Sequence, residues 1–240
     1  MILDDVAIMA AETNRSRIYL QALEVCGLIP SAAVLAKETS NKGNAKSKPP
    51  PQREFQRDKT TFNLSLSVEK LACRMHIPIK HSNCSDPNSE ETISIIKGLK
   101  QSVIIYSGPA GVILKETVLN LGKKFLHVHP GIVPKFRGST TIYYSLLKEG
   151  TVGASAFFMD RKIDQGPIIR QDTFPNFENN DAIDCFEDSF MRAQLLVNVL
   201  NDYAKSGSFE IREQVQSEEE ETYFIIHPIL KSIAIFGTQN

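Results

Sequence analysis

Residues 123–128, followed by Pro130 and Gly131, carry the apolar Phe125, Leu126 and Val128, with His127 and, just beyond, His129 two positions apart. A run of that length before Pro-Gly reads as a buried strand. Strand side chains alternate between faces, so both imidazoles leave on the same side. The end of a strand is where α/β proteins place ligands. Asp164, next to Gly166 and Pro167, arrives from a separate loop and offers a carboxylate to the same chemistry.

The rest of the chain alternates between strand-like and helix-like stretches. Residues 5–11 read as a central strand. Residues 16–26 follow as a helix with apolar positions at Ile18, Ala22 and Val25 and a stop at Gly27, and residues 29–36 read as a second strand. Strand–helix–strand order predicts a parallel sheet with right-handed crossovers. The turn after the first strand, residues 11–17, has no Gly-x-Gly-x-x-Gly, which argues against a dinucleotide site. Asn14 or Ser16 suits a helix cap there, and Arg15 and Arg17 stand where a phosphate would meet a helix start. Residues 38–59 are basic with three consecutive prolines, as expected of an irregular loop or a clamp for a substrate phosphate.

Further on, helices are predicted over 67–75, 89–100, 115–121 and 139–147, and strands over 77–79, 103–106 and 154–159. The strongest helix signal covers 181–204, where Ile183, Phe186, Phe190, Ala193, Val197 and Leu200 fall on one face behind a cap at Asn180. Residues 218–221 read as an acidic solvated turn. Residues 223–226 and 229–236, separated by Pro228, read as a terminal strand pair that covers the core or a partner subunit, as in a homodimer.

The net charge of −1 speaks against a general polyanion-binding surface. No apolar run approaches the roughly 18–20 residues that span a bilayer, and no signal peptide is apparent. Cys26, Cys73, Cys84 and Cys185 are scattered without a Cys-x-x-Cys pair, which predicts reduced thiols and a cytoplasmic protein.

The segments 125–138 and 159–169 together resemble the 10-formyltetrahydrofolate-dependent formyltransferase family. Its pattern is Asn-x-His-Pro-Ser/Gly, then Leu-Pro-x-x-Arg-Gly, then Asp-x-Gly-Pro. Here His129 is the motif histidine, Pro134, Arg137 and Gly138 match the second element, and residues 164–167 match the third. One departure is plain: the family's Asn is His127. The resemblance covers roughly residues 65–205 and implies an α/β fold with a Rossmann-like, mostly parallel sheet of the formyltransferase type. It implies a catalytic domain over 1–205, followed by a short C-terminal β extension over 206–240.

By the same resemblance, His129 and Asp164 manage the proton of formyl transfer, with the carboxylate fixing the imidazole tautomer. His127 replaces an amide that donates to the formyl oxygen, and an imidazole N–H has similar reach; a satisfied structural histidine is the other reading. Gly111, Val112, Ile113 and Leu114, with Asp160 and Ile163, match the folate slot, although the apolar three also suit plain core. Arg15, Arg137 and Ser155 are the expected substrate contacts, Ser155 also fitting an exposed strand position. Two histidines and an aspartate make a metal-ligand set as well; the resemblance accounts for all three without a metal, and none is expected. Phe157 stands where many tRNA-acting relatives have histidine.

The family's acceptors are methionyl-tRNA, glycinamide ribonucleotide and nucleotide-linked amino sugars. The acidic, then apolar residues after Ala204 do not match the basic barrel of the tRNA-acting enzymes, and no nucleic-acid or membrane partner is expected. The turn at 11–17 lacks the glycine-rich loop of the ribonucleotide enzymes. A nucleotide-linked amino sugar, destined for a surface polysaccharide, is left as the expected acceptor. A methionyl-tRNA or glycinamide ribonucleotide formyltransferase, a formyltetrahydrofolate hydrolase and a degenerate folate-binding relative are the alternatives.

Overall fold

The computed structural model describes residues 1–36, 54–57, 59–109, 111–177, 180–215 and 221–237. Most of the basic segment, the side chain of Asn180 and the acidic residues 218–220 lie outside the described residues. Two compact units make up the chain, Met1–Phe125 and Leu126–Asn240.

In the first unit, β1 (Ile2–Ala10) pairs in parallel with β2 (Ile29–Ala36) on one side and β6 (Val103–Ser107) on the other, and β5 (Ile79–Ser82) continues in parallel beyond β2. Val6, Ala7, Ile8 and Met9 are fully buried, as a central parallel strand covered on both faces requires. α1 (Asn14–Val25) begins before either expected cap, Asn14 or Ser16, would allow. Thr13 is the cap, its hydroxyl accepting from the Ser16 amide at 3.2 Å, because the Ser16 hydroxyl is used elsewhere, donating to the Ser107 carbonyl at 2.9 Å.

α2 (Val68–Arg74) and α3 (Glu90–Lys97) are capped by Ser67 and Ser89. Pairing of β5 starts at Ile79, later than predicted, since the Ile77 amide is spent closing α2 onto the Ala72 carbonyl. Part of the basic segment is regular: β3 (Glu54–Arg57) forms an antiparallel hairpin with β4 (Thr60–Asn63), held by buried Phe55 and Phe62. A short helix, α4 (Glu116–Leu119), leads toward the histidine strand.

In the second unit, β7 (Lys124–His129), with its end in this unit, pairs antiparallel with β9 (Val152–Phe158), and β9 with β10 (Ile168–Phe174). β9 is buried along its whole length, and β10 was not apparent in the sequence because four polar residues in a row, 170–173, form its middle. α5 (Thr141–Glu149) follows the turn after β8 (Phe136–Gly138). The predicted helix 181–204 is three pieces: a 3-10 turn at Asn180–Ala182, a π turn at Ile183–Glu187, and α6 (Asp188–Ser206). A π turn takes up more residues than an α turn and shifts the phase of the apolar face. Leu196 and Val199 are accordingly buried while Val197 is only half-buried.

The terminal strand pair expected from the sequence is a strand and a helix. β11 (Glu221–Tyr223) pairs in parallel with β8, but residues 228–236 form α7 (Pro228–Phe236). Pro228 occupies the first turn, where its fixed φ suits a helix and its missing N–H costs nothing, and the His227 ring accepts from the Ile229 amide at 3.3 Å. The α/β class and the mostly parallel sheet expected of the chain are present, and no described helix is long and apolar enough to cross a membrane.

The pairing of β8 with β11 depends on Gly138, whose φ is +97° and whose absent Cβ would lie 2.2 Å from the Tyr223 carbonyl oxygen. We expect Gly138→Ala to lower unfolding stability by about 1–3 kcal/mol from backbone strain alone. Urea titration measures it, and an unchanged midpoint would mean that the strand pair relaxes freely.

Candidate active site

His129 ends β7 with only 3% of its surface exposed. Its Nε2 lies 2.9 Å from the Phe136 carbonyl oxygen and 3.2 Å from Thr141 Oγ1. The Thr141 hydroxyl gives its hydrogen to the Pro130 carbonyl at 2.7 Å, so toward His129 it offers a lone pair. Two acceptors facing Nε2 place the ring hydrogen on that nitrogen. The neutral imidazole therefore carries its lone pair on Nδ1, which faces Asp164 Oδ2 at 3.5 Å. The sequence suggested that Asp164 sets the tautomer; the Phe136 carbonyl and Thr141 set it instead, and Asp164 faces the other ring nitrogen.

The loop that delivers Asp164 is built to a narrow tolerance. Asp164 has a left-handed φ of +54°. Its Oδ2 accepts from the Gly138 amide at 2.8 Å. Its carbonyl accepts from Arg137 Nε at 3.2 Å and from Gln214 Nε2 at 3.0 Å, while Arg137 Nη2 donates to Gln214 Oε1 at 2.6 Å. A side chain at Gly166 would put Cβ 1.7 Å from the Phe158 carbonyl oxygen, so only glycine lets the loop return to β10. Arg137, expected to bind substrate, is buried and spends these donors on holding the loop.

The strand period holds for the second histidine. The His127 and His129 rings lie 6.5 Å apart between centroids, and both pack on Phe157, His127 edge-on at 5.6 Å and His129 at 6.3 Å. One ligand atom each from His127, His129 and Asp164 lie within 4.8 Å of one another. Ser155 is fully buried, not exposed on its strand. Its hydroxyl donates to the Gly131 carbonyl at 2.7 Å and receives the Val133 amide at 3.1 Å and Gln171 Nε2 at 2.9 Å. It pins the loop that follows β7.

In the first unit, Arg15 donates from Nε to Ser107 Oγ at 3.2 Å and from Nη2 to the Gly108 carbonyl at 2.5 Å. Gly111 has a φ of +74°, Leu114 is buried core, Val112 is half-buried and Ile113 stands 61% exposed. Asn88 stitches this loop by donating to the Ile113 carbonyl at 3.0 Å and accepting from the Lys115 amide at 2.7 Å. In the second unit, Asp160 is exposed and Ile163 is 50% exposed.

Burial pulls the His129 imidazole below its usual 6.5, with Arg192 adding to the pull; Asp164, the Phe136 carbonyl and Asp188 act in the opposite direction. A neutral ring with an open Nδ1 beside a carboxylate can take a proton from an attacking nitrogen and hold the resulting imidazolium. Thr141, Gln214 and Arg192, whose Nε donates to the Val128 carbonyl at 2.8 Å, were not singled out in the sequence. These bonds span 12, 50 and 64 residues for Thr141, Gln214 and Arg192, and no local pattern marks them.

A family model described as "Formyl transferase" matches residues 9–199. A methionyl-tRNA formyltransferase of Lactococcus lactis subsp. cremoris (strain SK11) is 26% identical over 65% of this chain and 48% of its own length. That of Chloroflexus aggregans is 31% identical over 70% and 53%. The chain spans about half the length of the curated relatives it matches. Among solved structures, a sugar N-formyltransferase from Shewanella sp FDAARGOS_354 is similar with a TM-score of 0.57 at 14% identity, over 97% of this chain and 87% of that one. Phosphoribosylglycinamide formyltransferase from Streptococcus pneumoniae TIGR4 gives 0.56 at 16% identity, over 84% and 99%.

Because the folded state holds His129 below its unfolded value, the unfolded chain binds more protons as pH falls through about 6.5, and stability falls with it. We expect the thermal midpoint to drop more between about pH 7.5 and about pH 5.5 in the wild type than in His129→Gln, which cannot titrate there. Parallel profiles would show that His129 is not held neutral by the fold.

Proposed function

The chain belongs to the formyl transferase family, and we propose that it moves the formyl group of 10-formyltetrahydrofolate to a primary amine, that of a nucleotide-linked amino sugar. The observation that carries this reading is the His129–Asp164 pair, with Nδ1 bare and facing the carboxylate at 3.5 Å. The neutral amine attacks the formyl carbon, and the carbonyl π electrons move to oxygen. His129 Nδ1 takes the proton released by the attacking nitrogen, and Asp164 stabilises the imidazolium. The His127 N–H supports the oxyanion. The tetrahedral species then collapses, the bond from carbon to the folate nitrogen breaks, and that nitrogen receives the proton.

Gly111–Leu114 in the first unit, and Asp160 and Ile163 in the second, are each proposed as folate-binding residues; Ile113 and Ile163 each turn an apolar side chain to solvent within their own unit. The choice of acceptor rests on what the sequence lacks. The turn after β1 is tied through Arg15 to Ser107 and Gly108 and carries no glycine-rich cradle for a ribonucleotide phosphate. A net charge of −1 supplies no footprint for tRNA within this chain.

The test is transfer from formyltetrahydrofolate to a panel of amines, with product followed by mass, alongside calorimetry with a folate analogue. Formylation of an amino-sugar nucleotide is the expected result; folded protein that binds no folate would refute the reading. His129→Ala and Asp164→Ala should each abolish turnover, and the double variant should lose little more, since the two act as a unit. Either single variant with near wild-type turnover would overturn their assignment.

His127→Asn should keep substantial activity, because an amide hydrogen replaces the imidazole one, whereas His127→Ala should lose about a hundredfold or more. Equal turnover of the wild type and His127→Ala would make His127 a bystander. An inactive wild type rescued by His127→Asn would favour the degenerate relative.

A further inference from the structure

We propose that His127, His129 and Asp164 form a binding site for a divalent transition-metal ion of the zinc class. Two imidazoles and one carboxylate are the donor set of three-ligand zinc sites that leave one position open. Zinc bonds of roughly 2.0–2.1 Å place tetrahedral ligand atoms about 3.3–3.5 Å apart. His129 Nδ1 and Asp164 Oδ2 already stand at 3.5 Å, and the whole set lies within 4.8 Å, a gap that small side-chain rotations close.

A second, independent observation is the shell around these donors. Metal-bound histidines use the distal ring N–H to donate to a carbonyl or carboxylate, which turns the other nitrogen's lone pair toward the ion. His129 does this with Nε2 against the Phe136 carbonyl at 2.9 Å and Thr141 at 3.2 Å. Asp164 is oriented in turn by the Gly138 amide at 2.8 Å. His127 and His129 share one face of a strand registered against β9, so their spacing is held by backbone pairing. A lone pair on Nδ1 facing a carboxylate oxygen is a repulsive contact until a proton or a cation comes between them. His127 and Asp164 are half-buried, which leaves the open side of the set to an entering ion and a water ligand.

An ion on Nδ1 occupies the lone pair to which the proposed function gives the proton, so the bound metal should switch formyl transfer off. That consequence rests on the proposed reaction; the binding itself does not. The test is titration of the full chain with zinc chloride by calorimetry, and with cobalt chloride by visible absorption, in the wild type and His127→Asn. Exposed Cys26 and Cys73 and the His81–Glu69 pair are rival donors common to both proteins.

The wild type should take up one ion more than the variant, or bind it on the order of a hundredfold more tightly, with a four-coordinate cobalt spectrum that the variant lacks. Equal stoichiometry, affinity and spectra in the two proteins would overturn the proposal. Should His127→Asn fail a circular-dichroism check of folding, Asp164→Asn takes its place under the same criteria. Transfer is assayed on chelator-treated protein: formyl transfer without selective metal uptake in the titration would remove the metal site and leave the reaction, whereas selective uptake with no transfer to any amine by the metal-free protein would support the site and remove the reaction.

Discussion

The hydrogen bond from His129 Nε2 to the Phe136 carbonyl, at 2.9 Å, decides how the rest of the site works. It fixes the hydrogen on one ring nitrogen and frees the other, and it does so with a backbone acceptor that neither titrates nor rotates. Thr141 backs it from the first turn of α5, and its own hydroxyl is committed to the Pro130 carbonyl. The loop between β7 and α5 therefore carries the tautomer of the ring as well as the connection. Ser155 and Gln171 hold the same loop from β9 and β10, at 3.1 Å to the Val133 amide and 2.7 Å to its carbonyl.

The Asp164 loop is specified by steric exclusion more than by attraction. Gly166 admits no side chain against the Phe158 carbonyl, and the Gly138 amide and the Arg137–Gln214 pair receive the residues between. His129 Nε2 and Asp164 Oδ2 each meet a backbone atom, the Phe136 carbonyl and the Gly138 amide, beside their side-chain contacts. Backbone placement costs less conformational entropy than a network of long side chains would. Arg137, a charged residue almost wholly buried, is tolerated because its donors meet a carbonyl and an amide oxygen.

Packing and electrostatics meet at Phe157. Both histidine rings lie against it, so the apolar environment that pushes His129 toward its neutral form also fixes the distance between the rings. Asp164 opposes that push. The balance leaves an imidazole held below its usual value with a carboxylate facing it.

The sequence by itself determined the elements whose signals are local. The two-residue period of β7 put His127 and His129 on one face. The β1–α1–β2 order required parallel pairing. The Gly-Pro after Asp164 marked a tight loop. Tertiary structure decided what depends on partners distant in the chain. These include which nitrogen of His129 is open, the turning inward of Ser155 and Arg137 to hold loops, and the phase shift at the π turn before α6. Residues 228–236 show the reason most plainly. An apolar run of that length is compatible with either a strand or a helix; Pro228 at a first turn, His227 as its cap and the burial of Ala234 select the helix. Local pattern sets which faces a segment offers, while the choice among conformations of similar local energy falls to the contacts made when the chain closes on itself.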